Sequence, residues 1–295
     1  MTRMRSRLIP RPLRQEEASL LAAVCEAAKA IGMTPEQATK VYGLLPPNIR
    51  KAPAFKDRLT GLWRYEFGRA YVVRNEEGHN FAIWGTDQAP RIALLLKGVD
   101  RLMHLLARPQ LRVFLKRLDD ERKHLHILAE LDPILRPQLP FAAEYEAKGH
   151  ARGKHKIDWA IRFKDGSCCL VEVKHRIRPL LSHAAELMLV HTRGADTSGI
   201  PAPAAEGLFL GLESKFRPME VNRLQGTWIV SGIRINEEEF ANAFERLDGS
   251  RVQFAVLTHF EGDARILAKT PAIYAWVKDK FRLEDMKPLS ELDRA

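Results

Sequence analysis

The sequence of 295 residues has few cysteines and no long apolar segment. Its three cysteines, Cys25, Cys168 and Cys169, are too few for the disulfide framework of a secreted protein and favour the reducing cytoplasm. No apolar run approaches the roughly 18 residues that indicate a membrane span. The apolar stretch near the N-terminus is interrupted by Glu26 and Lys29, so it does not form the core of a signal peptide. We therefore expect a cytoplasmic protein without a membrane partner.

The sequence also lacks internal repeats and low-complexity segments. Hydrophobic residues make up 45% of the chain, which is enough for a real core and excludes disorder along the whole length. The charges are unbalanced, since 47 Lys and Arg residues against 37 Asp and Glu residues give a net charge of +10. A surplus of this size suits a polyanionic partner, with nucleic acid first and an acidic membrane surface second.

The hydrophobic patterns predict an α/β protein, with a mixed sheet of about four or five strands flanked by helices. We place a boundary near residue 105, between a mainly helical N-terminal region at 1–104 and a domain at 105–295 with an insertion at about 176–236. A second N-terminal helix begins at Thr34, and a strand pair surrounds 75–78. Other helices are predicted at 16–31, 91–118 with a break near Pro109, 119–131, 237–247 and 273–281. Strands are predicted at 141–145, 157–163, 168–174, 227–233 and 251–258.

A basic loop at 148–156 lies between two of the predicted strands. Its cationic side chains are Lys148, Arg152, Lys154 and Lys156. Such a loop suits the phosphate backbone of a nucleic acid. Arg176 and Arg178 follow a later strand and are expected to contact DNA phosphates or solvent rather than to perform chemistry.

The strands at 157–163 and 168–174 carry two carboxylates and a lysine. Glu172 and Lys174 are two residues apart and therefore share one face of their strand, whereas Val171 and Val173 point to the other face. The position of Asp158 depends on the turn. A two-residue turn at Asp165-Gly166 would place Asp158 opposite Val173, on the wrong face.

A three-residue loop at 164–166, with Gly166 in the left-handed conformation, instead places Asp158 opposite Glu172. This register also turns the apolar side chains of the first strand to the side of the two valines. The predicted apolar face of the first strand is Ile157, Trp159, Ile161 and Phe163. We favour this register because it keeps one face apolar and the other polar.

Two carboxylates side by side repel each other, and a divalent cation removes that conflict. Oxygen ligands suit Mg²⁺, for which Mn²⁺ is the usual substitute, and the ion can activate a water and offset charge on a phosphate. On the same face, Lys174 could orient that water or deprotonate it. An alternative is that Glu172 and Lys174 form a solvated strand face. Zinc is disfavoured, because no cysteine or histidine pair has a partner pair at useful spacing and the rings of His124 and His126 should point apart.

Asp158, the hairpin and the motif Val171-Glu172-Val173-Lys174 resemble the PD-(D/E)xK nuclease superfamily, whose members have the restriction-endonuclease-like fold. Ile157 stands where the proline of that motif would be. A narrower resemblance, over 121–174, is to the catalytic domain of TnsA-type transposon endonucleases. It is carried by Leu131-Asp132-Pro133-Ile134, Gln138-Leu139-Pro140-Phe141 and Lys154-His155-Lys156-Ile157-Asp158. The stretch 251–258 resembles the strand that follows the second helix of the core.

The resemblance implies a Mg²⁺-dependent endonuclease that hydrolyses DNA phosphodiester bonds. Asp158 and Glu172 would hold the metal, together with the Val173 carbonyl and a helix glutamate, which falls on Glu121 by the spacing. Glu130 is the second choice for that glutamate and Glu144 the third.

In the narrower form, the protein is a transposase subunit that cuts double-stranded DNA at transposon ends. Its partners would be a DDE-type subunit, which joins strands, and an ATPase regulator. The alternatives are a restriction or repair nuclease that acts alone, and a DNA-binding protein that has kept the fold without the chemistry.

Overall fold

The computed structural model describes an α/β protein. The described residues are 21, 24–25, 28–29, 31–46, 49, 72–74, 80–82, 84–120, 123–176, 206–218, 220, 222–231, 237–259 and 264–283. Most of the predicted helix at 16–31 lies outside them, as do Glu121 and Arg178. Among the described residues, no helix is both long and apolar enough to cross a membrane.

The first fully described helix is α1 (Pro35–Leu44), and it begins where the sequence predicts. The Thr34 side chain accepts a hydrogen bond from the Gln37 N–H at 3.2 Å, and the Gln37 side chain accepts one from the Thr34 N–H at 2.9 Å. This reciprocal pair satisfies two main-chain donors that the first turn would leave unpaired. Strands β1 (Val72–Arg74) and β2 (Asn80–Ala82) then form the predicted antiparallel pair.

A helical layer follows the first hairpin. It consists of α2 (Trp84–Leu105), α3 (Arg108–Leu118), α4 (His124–Ala129) and α5 (Asp132–Leu135). The predicted break near Pro109 is confirmed, because α2 ends at Leu105 and Pro109 lies in the first turn of α3. Gly98 permits close packing here, since a Cβ at this position would lie 2.6 Å from the Leu131 side chain. The α2 helix can therefore approach the segment that carries α5.

The main sheet has six strands and is mixed. In spatial order, which is also chain order, they are β3 (Ala142–Ala147), β4 (Ile157–Arg162), β5 (Cys168–Arg176), β6 (Arg223–Ser231), β7 (Phe254–His259) and β8 (Ala264–Ala268). The pairs β5–β6 and β6–β7 are parallel, and the other three pairs are antiparallel.

Parallel neighbours require crossover connections, and the remaining helices lie on those connections or after the last strand. They are α6 (Glu206–Phe209), α7 (Leu212–Lys215), α8 (Glu237–Glu245) and α9 (Pro271–Phe281). The connection from β5 to β6 contains α6 and α7, and the connection from β6 to β7 contains α8.

Two apolar clusters form the core, one on each face of the sheet. The first contains Trp159, Val171 and Val173 together with side chains of the helical layer and of α9. The second contains Leu170 and side chains of α6, α7 and α8. Adjacent residues of β5 thus enter different clusters, as the alternation of a strand requires.

The hairpin between β4 and β5 has the three-residue loop that the sequence favours. The pair Trp159–Val171 is in register, the Phe163 N–H donates to the Ser167 carbonyl at 2.9 Å, and Gly166 has a φ of 82°. Glycine adopts this left-handed conformation without the penalty that a Cβ would bring. The loop at 164–166 is therefore confirmed.

Two expectations were wrong in detail. The sheet has six strands rather than four or five, because the short edge strand β8 has too little apolar alternation to stand out in the sequence. Ile157 belongs to the second cluster, whereas Trp159 and Ile161 belong to the first. The alternation breaks at Asp158, where the ladder between β4 and β5 has ended.

Residues on both sides of position 105 share the first cluster, and the division at that position stays a prediction.

Candidate functional site

Asp158 lies where strands β4 and β5 stop pairing. The last pair of the ladder is Trp159–Val171, and the same register continued by one residue sets Asp158 opposite Glu172. Beyond that pair, a side chain replaces the main chain as acceptor, because the Val173 N–H donates to Asp158 Oδ2 at 2.8 Å. Asp158 is 8% exposed and Glu172 is 3% exposed, so both carboxylates are buried at this point.

The main chain of Val173 also faces this gap. In a strand, the N–H and C=O of one residue point to the same neighbour, so the Val173 carbonyl lies on the side of Asp158. The Glu172 carbonyl points the other way and accepts a hydrogen bond from the Thr227 hydroxyl at 3.1 Å. Val173 thus combines an apolar side chain in the first cluster with a main chain that faces the β4 side of the strand.

Glu130, at the end of α4, approaches Asp158 from the helical layer. Ligand atoms of His126, Glu130 and Asp158 lie within 4.8 Å of one another. The Tyr145 hydroxyl donates to Glu130 Oε2 at 2.7 Å, and His126 Nε2 lies 3.2 Å from Glu130 Oε1. The glutamate is fully buried, so these contacts fix the direction in which its carboxylate points.

The three candidates for the helix glutamate are therefore placed differently. Glu121 lies outside the described residues. Glu144 lies on β3 opposite Ala160, and its side chain accepts a hydrogen bond from the Lys148 N–H at 3.4 Å. Of the described candidates, Glu130 is the one grouped with Asp158.

His126 is a residue that the sequence reasoning did not select. The rings of His124 and His126 make separate contacts, since His124 Nδ1 lies 2.8 Å from the Leu118 carbonyl. The sequence signal was available in retrospect, because His126 precedes Glu130 by four residues and so shares its side of a helix.

Two buried glutamates of the site, Glu172 and Glu130, have a raised pKa. Burial raises the pKa of Glu172 to about 7, and the negative charge of Asp158 adds to this, whereas Lys215 and Lys174 oppose it. Burial likewise raises the pKa of Glu130, with Asp158 adding and His126 and Arg117 opposing. A bound cation would favour the ionised forms of these groups.

Two lysines approach the Glu172 carboxylate. Lys215 on α7 forms an ion pair with Glu172 Oε1 and is 25% exposed. Lys174 is close enough to lower the pKa of Glu172. The role of Lys174 at the site stays a prediction. Lys215 was missed because it lies 43 residues from Glu172 in a stretch without a clear pattern.

The basic loop at 148–156 lies at the surface, with the side chains of Lys148, Arg152, Lys154 and Lys156 exposed. Lys156 pairs with Glu146 at 2.7 Å. The main chain of Arg176 belongs to β5, but its side chain lies outside the described parts, as does the whole of Arg178. Nucleic-acid binding by these six residues stays a prediction.

The donor set fits a divalent cation. Glu172 Oε2 is a buried acceptor that receives no hydrogen bond from the described residues, whereas Glu130 Oε1 already faces His126 Nε2 at 3.2 Å and the Arg117 guanidinium at 3.5 Å. A buried carboxylate oxygen without a donor is costly, and a cation supplies the missing partner. Carboxylate oxygens suit Mg²⁺ and Mn²⁺, and the His126 imidazole adds a nitrogen that transition-metal ions accept readily.

Comparisons with known proteins assign no further residue to this site. The chain matches no protein-family model, no curated protein and no solved structure. The site therefore rests on its own geometry.

Proposed function

We propose that the protein is a metal-dependent DNA endonuclease that hydrolyses phosphodiester bonds, with Mg²⁺ as cofactor and Mn²⁺ as its substitute. One observation carries the proposal: Asp158 lies opposite Glu172 at the point where two strands separate, with Lys174 two residues further along the same strand. Asp158 raises the pKa of Glu172 and Lys174 lowers it, so the three charges are near enough to act on one another, as phosphodiester hydrolysis requires.

Asp158, Glu172 and the Val173 carbonyl would hold the cation, with Glu130 in the place first given to Glu121. The cation would supply a polarised phosphate oxygen and a more acidic water. Lys174 would donate hydrogen bonds to the attacking water and to the phosphate oxygens that gain charge as the bond to phosphorus forms. These groups are buried or half-buried, which strengthens each electrostatic interaction.

The charge of the molecule supports DNA as the substrate. The net charge is +10, and the exposed basic loop connects β3 to β4, the strand that carries Asp158. Lys148, Arg152, Lys154 and Lys156 would contact the phosphate backbone, and Arg176 and Arg178 would add to these contacts. Such contacts position a duplex without reading its sequence.

The first experiment is cleavage of supercoiled and linear double-stranded DNA with Mg²⁺, with Mn²⁺ and with a chelator. Lys174→Ala should abolish cleavage while DNA binding is retained. The matched control is Lys164→Ala, which removes an exposed lysine from the loop of the same hairpin. Cleavage that persists in Lys174→Ala, or that needs no metal, would exclude this mechanism. DNA binding without cleavage in the wild type would favour a binding protein that has kept the fold.

The narrower proposal is an endonuclease subunit of a heteromeric transposase that cuts at transposon ends. It rests on the sequence resemblance around 131–141, and the partners it implies are a DDE-type transposase subunit and an ATPase regulator. Cleavage that appears only when such a partner is added would support this form. Efficient cleavage by the isolated protein would favour a restriction or repair nuclease.

A further inference from the structure

Lys215 is held beside the candidate site from two directions. Its ammonium pairs with Glu172 Oε1, and its main-chain carbonyl accepts a hydrogen bond from the Arg152 N–H at 2.8 Å. The two residues after Lys215 also contact the basic loop. Phe216 forms a β-bridge with Ala151, and the Arg217 side chain donates to the Ala151 carbonyl at 2.8 Å.

These contacts join the basic loop to the metal-site candidate through α7. Leu212 and Phe216 are fully buried in the second cluster, so the backbone on both sides of Lys215 is anchored in the core. Lys215 is therefore held between two features of the proposed function, the exposed cations of the loop and the Glu172 carboxylate.

The ion pair with Lys215 cannot persist unchanged once Glu172 binds a cation. One oxygen of the carboxylate pairs with the lysine, and the other, Oε2, receives no hydrogen bond from the part of the chain that the structure describes. A divalent cation at this carboxylate takes over most of its negative charge and repels the ammonium. Because the Lys215 side chain is 25% exposed, it can turn toward solvent without leaving its anchored backbone.

We propose that Lys215 is a substrate-binding residue that exchanges partners: it pairs with Glu172 in the metal-free protein and binds a DNA backbone phosphate when the cation is present. The proposal rests on the proposed function and extends it to a residue of the insertion. A backbone phosphate would replace Glu172 as the anionic partner of the Lys215 ammonium. The cations of the basic loop would contact the same phosphate backbone.

The test compares Lys215→Met with Lys280→Met. Lys280 is the matched control, because it is also an ion-paired lysine of similar exposure, 24% against 25%, but it pairs with Asp165 at the other end of the hairpin. The measurements are Mn²⁺ affinity by calorimetry, kcat and KM for cleavage of a DNA duplex in Mn²⁺, and the salt dependence of DNA binding.

Lys215→Met should bind Mn²⁺ at least as tightly as the wild type, because a competing cation is gone. Its KM for DNA should rise about tenfold, and the slope of log affinity against log salt should fall by about one. Lys215→Arg should restore most of the affinity for DNA, and Lys280→Met should change neither quantity.

A purely structural ion pair predicts a different result, namely weaker Mn²⁺ binding with an unchanged KM and salt slope, and that result would overturn the proposal. If Lys215→Met does not fold, Lys215→Gln and Lys215→Arg decide the same question by the same two quantities. A wild-type protein that neither binds Mn²⁺ nor cuts DNA would remove the proposed function itself, and this proposal with it.

Discussion

The indole N–H of Trp159 donates a hydrogen bond to the main-chain carbonyl of Glu130 at 2.7 Å. Both residues are fully buried. The bond joins the end of α4 to β4 one residue beyond Asp158, so it fixes the distance between the two carboxylates that the candidate site brings together. A residue of the apolar core thus positions a residue of the site.

Trp159→Phe should therefore weaken metal binding as well as stability. The substitution leaves the buried Glu130 carbonyl without its donor and creates a cavity, which together cost about 3 kcal/mol. We expect Mn²⁺ affinity to fall several-fold, because Glu130 is no longer held. Calorimetric titration with Mn²⁺ measures this, beside urea unfolding.

Trp228→Phe is the matched control for this prediction. The Trp228 indole is also fully buried, and its N–H donates to Asp132 Oδ2 at 2.7 Å. Trp228 lies on β6 and is not next to Asp158 in the chain. The Trp228→Phe variant should lose about as much free energy of unfolding as Trp159→Phe and should retain the wild-type affinity for Mn²⁺. Equal losses of Mn²⁺ affinity in both variants would mean that general loosening, not the position of Glu130, is responsible.

Glutamine substitutions should identify the helix glutamate of the site. Glu130→Gln removes a carboxylate charge next to Asp158 and should lower Mn²⁺ affinity by a factor of ten or more, because the remaining ligands carry less charge. Glu144→Gln should leave the affinity unchanged, since Glu144 contacts the Lys148 N–H instead. A tenfold loss in Glu121→Gln with none in Glu130→Gln would return the role to Glu121.

The sequence predicted the hairpin between β4 and β5 well because its turn and its strand faces are determined by residues that are close together in the chain. The loop at 164–166 and the alternation of Glu172 and Lys174 follow from neighbouring residues, and one register satisfies both. The break at Asp158 was beyond this reasoning. Alternation assumes that the ladder between two strands continues. Between β4 and β5 it ends at the pair Trp159–Val171, and the Val173 N–H donates to the Asp158 carboxylate instead of to a main-chain carbonyl.

The contacts that the sequence missed come from distant parts of the chain. Lys215 reaches Glu172 across a parallel connection, and no periodic pattern in that connection marks it. Glu130 ranked second because spacing alone cannot tell which helical turn packs on Trp159. Both positions are set by tertiary packing, which overrides local pattern.

Stability in the presence of a chelator should fall as pH rises from about 4.5 to about 7. Glu172 has a pKa of about 7 in the folded protein, above its ordinary value of 4.5, because it is buried near Asp158. A raised pKa means that the protonated form favours folding. Its contribution is present in full below pH 4.5 and is lost through pH 7, on the order of 3 kcal/mol.

His126 acts in the same direction. Burial lowers its pKa, but the hydrogen bond and charge of Glu130 outweigh this and raise the pKa above 6.5. Urea unfolding at pH 5 and pH 8 in a chelator measures the combined effect, and Glu172→Gln should remove a large part of the difference. Stability that is higher at pH 8 than at pH 5 would contradict the assignment.

Affinity for DNA should fall steeply with salt. The exposed lysines and arginine of the basic loop would displace counterions from the phosphates they contact. Replacing Lys148 and Lys154 by alanine together should reduce the slope of log affinity against log salt by about two, equally for unrelated duplex sequences. Competition binding between 50 and 200 mM salt measures it, and a flat wild-type affinity would argue against phosphate contacts.

The centre of the sheet makes a prediction that needs no ligand. A Cβ at Gly226 would lie 2.3 Å from the Phe254 carbonyl oxygen of the paired strand β7, and a backbone atom cannot move aside as a side chain does. Gly226→Ala should therefore destabilise the protein by several kcal/mol, on the order of 3 or more, or prevent folding. Gly43→Ala is the control, because among the described residues no atom outside its own helix backbone lies within 4 Å of its Cβ position in α1. Alanine also favours helix over glycine by about 1 kcal/mol. If both variants have the same midpoint of urea unfolding as the wild type, the parallel pairing of β6 with β7 at Gly226 is wrong. Thr227, the next residue of β6, pairs with Glu172 of β5 and donates to its carbonyl, so β6 joins this part of the sheet to the strand of the candidate site.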